Sequence, residues 1–182
     1  MNLEEQNYLD LMKKILETGS IKKDRTNVGT KNIFGTNLRF SLENNTLPLL
    51  TTKKMYVKGI IEELLFFIRG ETNTKKLEEK NVNIWKGNTS REFLDKRGLF
   101  DYPEGEMGPL YGKAWRCWEN NNKKVDQLQN AFDLIKNDPD SRRIMVTAYN
   151  PSDMDKVVLP PCHFFFEFYV DGNELSCQYH QR

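Results

Sequence analysis

The stretch from Leu159 to Arg182 constrains the fold of this chain more than any other. His163 to Val170 is an aromatic, β-favouring run, Asp171-Gly172-Asn173 tolerates positive φ, and Glu174 to Arg182 alternates Leu175, Cys177 and Tyr179 against Ser176, Gln178 and His180. That pattern predicts a β-hairpin. Pairing symmetric about a turn near Gly172 returns Gln181 and Arg182 to the side of Pro161 and Cys162. A guanidinium beside a thiol favours the thiolate, so the hairpin marks Cys162 as a candidate nucleophile. Against this stands the commoner fate of a free cysteine, which is to pack as a small hydrophobe. Pro160-Pro161 tips the balance towards presentation at a strand end, because it removes two amide donors and stops any helix. His163 is a candidate base, but neighbours on a strand face opposite ways, so no Cys/His dyad is assumed.

Composition narrows the classes of function. The chain has 182 residues, 38% hydrophobic and 12% aromatic, enough for one globular domain with a sizeable core and too few for two. Lys plus Arg is 27 against Asp plus Glu 26, and the net charge of +1 calls for neither nucleic acid nor an acidic membrane. Cys117, Cys162 and Cys177 are an odd, widely spaced set, and the polar Met1 to Gln6 is no signal peptide, which suggests a reduced intracellular, cytoplasmic protein. The longest apolar run, Ile60 to Ile68, is broken by Glu62 and Glu63 and falls short of the about 20 residues of a membrane span. Two His and no spaced Cys/His cluster argue against a metal site.

Along the chain, Glu4 to Glu17 has helical apolar spacing ended by Gly19, and a polar loop with Arg25 follows, either solvated or reaching an anion. Leu38 to Leu42 alternates like a strand, and Thr51 or Thr52 is a candidate cap for a helix over about Val57 to Ile68, ended by Gly70. Apolar residues surround that helix, yet it carries Glu62 and Glu63, so each is either at a solvated edge or in a polar network within a cavity. Glu71 to Asn83 reads as a charged outer helix, and Ser90 or Thr89 caps a short one. Trp85 is core or a flat wall for a ring-bearing ligand. Gly105 to Trp118 reads as an ordered aromatic loop entering a helix, Asn120 to Lys124 as a connector, and Val125 to Lys136 as a helix stopped by Asp138-Pro139. Arg142-Arg143 then opens a buried-type strand, as a surface ion-pairing set or an anion site.

Taken together, Asp24-Arg25-Thr26, Leu49-Leu50-Thr51-Thr52-Lys53, Glu63-Leu64-Leu65, Gly70-Glu71-Thr72-Asn73, Ile84-Trp85, Gly108-Pro109-Leu110-Tyr111-Gly112 with Trp115-Arg116, Asp138 to Arg143 and Pro161-Cys162-His163 closely resemble thymidylate synthases from end to end. The resemblance implies an α+β fold, a large twisted mixed sheet packed with helices. It also implies a methyltransferase of dTMP biosynthesis that reductively methylates dUMP to dTMP, with 5,10-methylenetetrahydrofolate as co-substrate and no metal. Cys162 matches the nucleophile that adds to pyrimidine C6. Glu63 matches the buried carboxylate that organises proton transfer, and Tyr111 a group that assists proton removal at C5. Arg25 and Arg182 match phosphate ligands, and Arg142 and Arg143 the pair that reaches the same phosphate from the partner of a homodimer. Trp85 and Asn88 match folate-binding positions, while His163 and Gln178 fall in the site wall.

The family continues beyond the point at which Gln181-Arg182 ends this sequence, with residues that complete the nucleotide site, read the pyrimidine and close over folate. The expectation is a single domain over 1–182 that is the amino-terminal portion of such a protein, its sheet incomplete at the carboxy-terminal end. Such a chain would be marginally stable, and inactive without a second polypeptide. Glu167, usually glutamine in the family, is a smaller departure on the aromatic strand. Rival readings are a deoxypyrimidine-nucleotide hydroxymethylase of the same fold, a non-catalytic assembly or RNA-binding protein, and an inactive fragment.

Overall fold

The computed structural model describes residues 2–23 and 28–182, so Arg25 lies outside the described residues. The chain divides into two compact units, Met1–Tyr56 and Val57–Arg182. No helix among the described residues is long and apolar enough to cross a membrane.

In the first unit, α1 (Leu3–Thr18) begins where the Asn2 side chain accepts the Glu5 amide, and ends where Gly19 N–H donates to Ile15 O. β1 (Ser20–Lys22) pairs antiparallel with β2 (Thr30–Asn32). The strand expected over Leu38 to Leu42 does not form. Its alternation finds no ladder, and the Ser41 amide donates to the Glu4 carboxylate instead. Thr51 and Thr52 likewise cap no helix. Their amides and hydroxyls converge on the buried Glu5 carboxylate at 2.6–3.1 Å. The Thr51 hydroxyl leads these donors in drawing the Glu5 pKa down to about 2, although burial opposes them.

The second unit begins with α2 (Val57–Ile68), which buries Gly59, Phe66 and Phe67. At its end Gly70 takes φ +76, a left-handed conformation natural to glycine. The charged helix expected over Glu71 to Asn83 shrinks to α3 (Lys75–Glu78). The backbone on either side of Asn73 is committed elsewhere, Thr72 O accepting from Met107 N–H and Thr74 N–H donating to Gly105 O. Nor is this segment wholly outside: Leu77 and Val82 are core residues, and the buried Thr74 and Thr89 hydroxyls share a 2.8 Å hydrogen bond.

Ser90 caps α4 (Arg91–Lys96) by accepting the Phe93 amide. The glycine-rich loop then delivers α5 (Tyr111–Arg116), which buries Tyr111, Gly112, Ala114 and Trp115. The polar connector proves to be a small hairpin, β3 (Trp118–Asn120) with β4 (Lys123–Val125), turning through Asn121 and Asn122 at positive φ. α6 (Gln127–Asn137) follows, capped by the Asp126 side chain.

β5 (Met145–Thr147), β6 (His163–Asp171) and β7 (Glu174–Gln181) form a three-stranded antiparallel sheet in that order. The hairpin read from the sequence is present, with His163 opposite Gln181 and Asp171 opposite Glu174. One sheet face, with Phe166, Phe168 and Val170, packs on the core. Helices and antiparallel strands in these proportions make an α+β protein. No large mixed sheet is seen among the described residues: three strands is the maximum and every pairing is antiparallel.

Gly112 fixes the closeness of α5 to the end of α2, since a Cβ there would lie 2.3 Å from Glu71 O. Gly112→Ala is expected to cost about 1–3 kcal/mol by overpacking, read as a lower urea midpoint with unchanged m-value. For Glu5, a folded pKa below the ordinary 4.5 means that its contribution is complete above pH 4.5 and lost as pH falls towards about 2. The stability gap between parent and Glu5→Gln should therefore narrow across that interval in acid titrations of urea unfolding, and a gap independent of pH would contradict the assignment.

Candidate active site

The site assembles around Phe67. The apolar spacing that buries this side chain of α2 places its ring 4.7 Å from Tyr111, 5.8 Å from Trp115, 6.1 Å from His163 and 6.4 Å from Trp85. Edge and tilted geometries of this kind suit the quadrupoles of packed rings. One turn earlier on the same helix, Glu63 faces the same group, and its carboxylate accepts the Trp85 indole N–H at 2.7 Å. Burial raises the Glu63 pKa and that hydrogen bond partly offsets the rise. Glu62 has the other environment that the sequence allows, an ion pair with Lys80 at the surface, which lowers its pKa.

Cys162 is exposed at the mouth of the hairpin. Its amide donates to Tyr111 Oη at 2.8 Å, so the residue before β6 is tied to the first turn of α5. Burial pushes the Tyr111 phenol up to about 12, which leaves it neutral at pH 7. The return of Arg182 predicted by the hairpin is observed. Its amide donates to Cys162 O at 3.1 Å and its Nη2 to Pro160 O at 3.1 Å.

His163 turns inward through a β-bulge. The register shifts between His163 and Phe165, and both Phe164 and Phe165 lie against His180, at 6.3 and 5.4 Å. An extra residue there puts His163 on the same face as Phe166, where strict alternation would have sent it outward. Its ring stacks on Tyr111 at 3.9 Å and 9°. Burial lowers its pKa, which favours a neutral imidazole at pH 7.

The remaining candidates are placed as follows. Asn88 is half-buried, and its amide donates to Trp85 O, so the two share a turn. Gln178 stands across from Glu167, one residue out of phase with Cys177 and Tyr179 and therefore on the sheet face away from Tyr111; the structure does not bring it to Cys162. Arg142 and Arg143 are exposed just before β5. Met145 opposes Glu167, which is roughly 16 Å along β6 from Cys162 at about 3.3 Å per residue, and the arginines lie beyond it, at the far end of the β5–β6 ladder from Cys162. Among the described residues no cluster of His, Cys, Asp and Glu is arranged to hold a metal ion. Sequence reasoning overlooked Phe67 as the hub and Tyr179 as a wall; the alternation of β7 already put Tyr179 in phase with Cys177.

Trp85→Phe removes the hydrogen bond that holds the Glu63 pKa down while leaving its burial in place. The Glu63 carboxyl should then titrate at higher pH than in the parent, as followed by carboxyl 13C chemical shift; a downward shift would contradict this geometry.

Comparison with known proteins finds relatives over nearly the whole chain. The family model of thymidylate synthase matches residues 6–182. A bifunctional dihydrofolate reductase-thymidylate synthase of Zea mays is 49% identical over 98% of this chain and 36% of its own length. Its counterpart in Leishmania major is 48% identical over 100% of this chain and 37% of its own length. Thymidylate synthase 1/2 of Encephalitozoon cuniculi is 48% identical over 98% of this chain and 63% of its own length. The chain thus spans a little over a third of the bifunctional relatives and under two thirds of the Encephalitozoon cuniculi protein. With nearly its whole length matched by the family model, and an exposed Cys162 tied to a buried Tyr111 beside the Glu63–Trp85 pair, the chain belongs to the thymidylate synthase family.

Proposed function

We propose that this chain carries the nucleophile side of a site for reductive methylation of dUMP to dTMP with 5,10-methylenetetrahydrofolate. The observation that carries the reading is the exposed Cys162, fixed at the strand mouth by Tyr111 and flanked by Arg182. Cys162 Sγ forms a bond to pyrimidine C6, and the C5–C6 π electrons move towards C5 and the C4 carbonyl, making C5 nucleophilic. The folate, when bound, supplies the one-carbon unit and the hydride.

The residues present fit both molecules. Glu63, with its raised pKa, holds or releases a proton near the pyrimidine carbonyl. Tyr111, neutral at pH 7, orients a water for removal of the C5 proton; a phenol held near 12 does not itself act as phenolate base. Trp85 and Asn88 form the wall towards the folate. His163, stacked on Tyr111, and Gln178 are assigned to the wall around the nucleotide, Gln178 on the family resemblance alone. Arg25 and Arg182 take the nucleotide phosphate, which suits the fork geometry of guanidinium.

Arg142 and Arg143 serve the same phosphate in the partner's site of a homodimer. Their distance along the ladder from their own Cys162 supports this division. The family match, spanning both compact units, supports a single domain over 1–182. The three-stranded sheet is read as part of the family's larger twisted sheet. A cytoplasmic enzyme with no nucleic-acid or membrane partner accords with the net charge of +1.

Incubating the intact protein with 5-fluoro-dUMP and the folate should trap a covalent adduct at Cys162, located by peptide mass spectrometry. The adduct should vanish in Cys162→Ala. Its absence in the parent, or its persistence in the variant, would remove Cys162 as nucleophile.

A further inference from the structure

Tyr179 has no part in the function proposed above, yet it faces the site. It pairs with Phe166 across the hairpin and so lies on the core side of the sheet. Its ring lies 5.8 Å from His163 at 26°, on an imidazole already stacked 3.9 Å from Tyr111. Its hydroxyl donates to Gln181 Oε1 at 3.1 Å, and Gln181 is the β-ladder partner of His163. After burial, the charges of Cys162 and Glu63 are the causes that raise the Tyr179 pKa, so the phenol is within electrostatic reach of both.

We propose that Tyr179 is a positioning residue of the site, its ring holding the His163 imidazole against Tyr111 and its hydroxyl fixing the Gln181 carboxamide in one orientation. Once Gln181 Oε1 accepts from Tyr179, the amide flip is decided and the Gln181 NH2 is left as a donor of fixed direction. The groups so held flank Cys162, and the ligand they serve is the planar pyrimidine nucleotide of the function proposed above, on which the inference rests. An imidazole and a carboxamide aligned beforehand bind a ring edge without the cost of ordering them at each encounter.

Two variants separate ring from hydroxyl. Tyr179 is 53% exposed, so both substitutions are compatible with the fold. The titratable groups that face His163 are Tyr111 from α5 and Tyr179 from β7, with Cys162 preceding it; Phe67 and Trp115 contribute rings only. In Tyr179→Leu the imidazole becomes more solvated, and the His163 pKa, followed by 1H–13C NMR, should rise towards its ordinary 6.5, whereas Tyr179→Phe should leave it unchanged. In Tyr179→Phe the Gln181 carboxamide oxygen loses its donor, and the side-chain 1H–15N resonances of Gln181 should shift. KM for dUMP should rise roughly 2–10-fold with little change in kcat, the size expected for one neutral hydrogen bond.

An unshifted His163 titration in Tyr179→Leu, or an unchanged Gln181 amide in Tyr179→Phe, overturns the proposal. Should Tyr179→Leu fail to fold, the Gln181 measurement in Tyr179→Phe still decides. Both NMR readings are independent of turnover. A protein that makes no adduct with 5-fluoro-dUMP but shows them defeats the function while leaving the placement of Tyr179 intact.

Discussion

The hydrogen bond from the Cys162 amide to Tyr111 Oη joins residues 51 positions apart, and the rest of the site depends on it. It anchors the entrance of β6 to a helix that is itself buried against α2. Gly112, next to Tyr111, lets the start of α5 approach the chain just after α2 closely, where a Cβ would meet Glu71 O. The bond therefore transmits the packing of the helical core to the segment that presents the Cys162 thiol. Burial of Tyr111 also raises its pKa to about 12, further from phenolate than an ordinary tyrosine.

Around that bond the site divides into a rigid apolar side and an open polar side. Phe67, Tyr111, Trp115, Trp85 and His163 form one continuous set of ring contacts, and each ring restrains the next. Polar groups enter this set singly, and each meets a specific partner: Glu63 the Trp85 indole, and the Tyr111 hydroxyl the Cys162 amide. A buried polar group without such a partner would cost more than the packing around it could return. Arg182, in contrast, keeps its guanidinium at the exposed rim, bound to a backbone carbonyl and not to a carboxylate. Several surface lysines pair with neighbouring acids, as in Lys75 with Glu104 and Lys156 with Asp153, whereas Arg142, Arg143 and Arg182 have no carboxylate within ion-pair distance among the described residues.

Local chemistry made much of this legible beforehand. The α2 helix, the Ser90 cap and the β6–β7 hairpin with Arg182 returned to Cys162 all follow from spacing, caps and turn residues, which act over a few positions. Reading failed where backbone groups were claimed from a distance. Leu38 to Leu42 has the alternation of a strand, but Glu4 takes an amide that a ladder would need. The charged segment after Gly70 has helical composition, but the loop at Gly105 to Met107 takes its backbone bonds.

The sequence by itself determined which residues could do chemistry and which of them the hairpin must bring together, because turn symmetry and side-chain alternation are local geometric rules. Residue spacing left open whether Glu62 or Glu63 is the enclosed carboxylate; that choice, to which the family resemblance pointed, was physically made by the tertiary structure, since Lys80 draws one to the surface and Trp85 holds the other inside. So was the inward turn of His163. Alternation sends it outward from the core, and only the bulge opposite His180, formed as β6 docks on β7 and the aromatic core, reverses that direction.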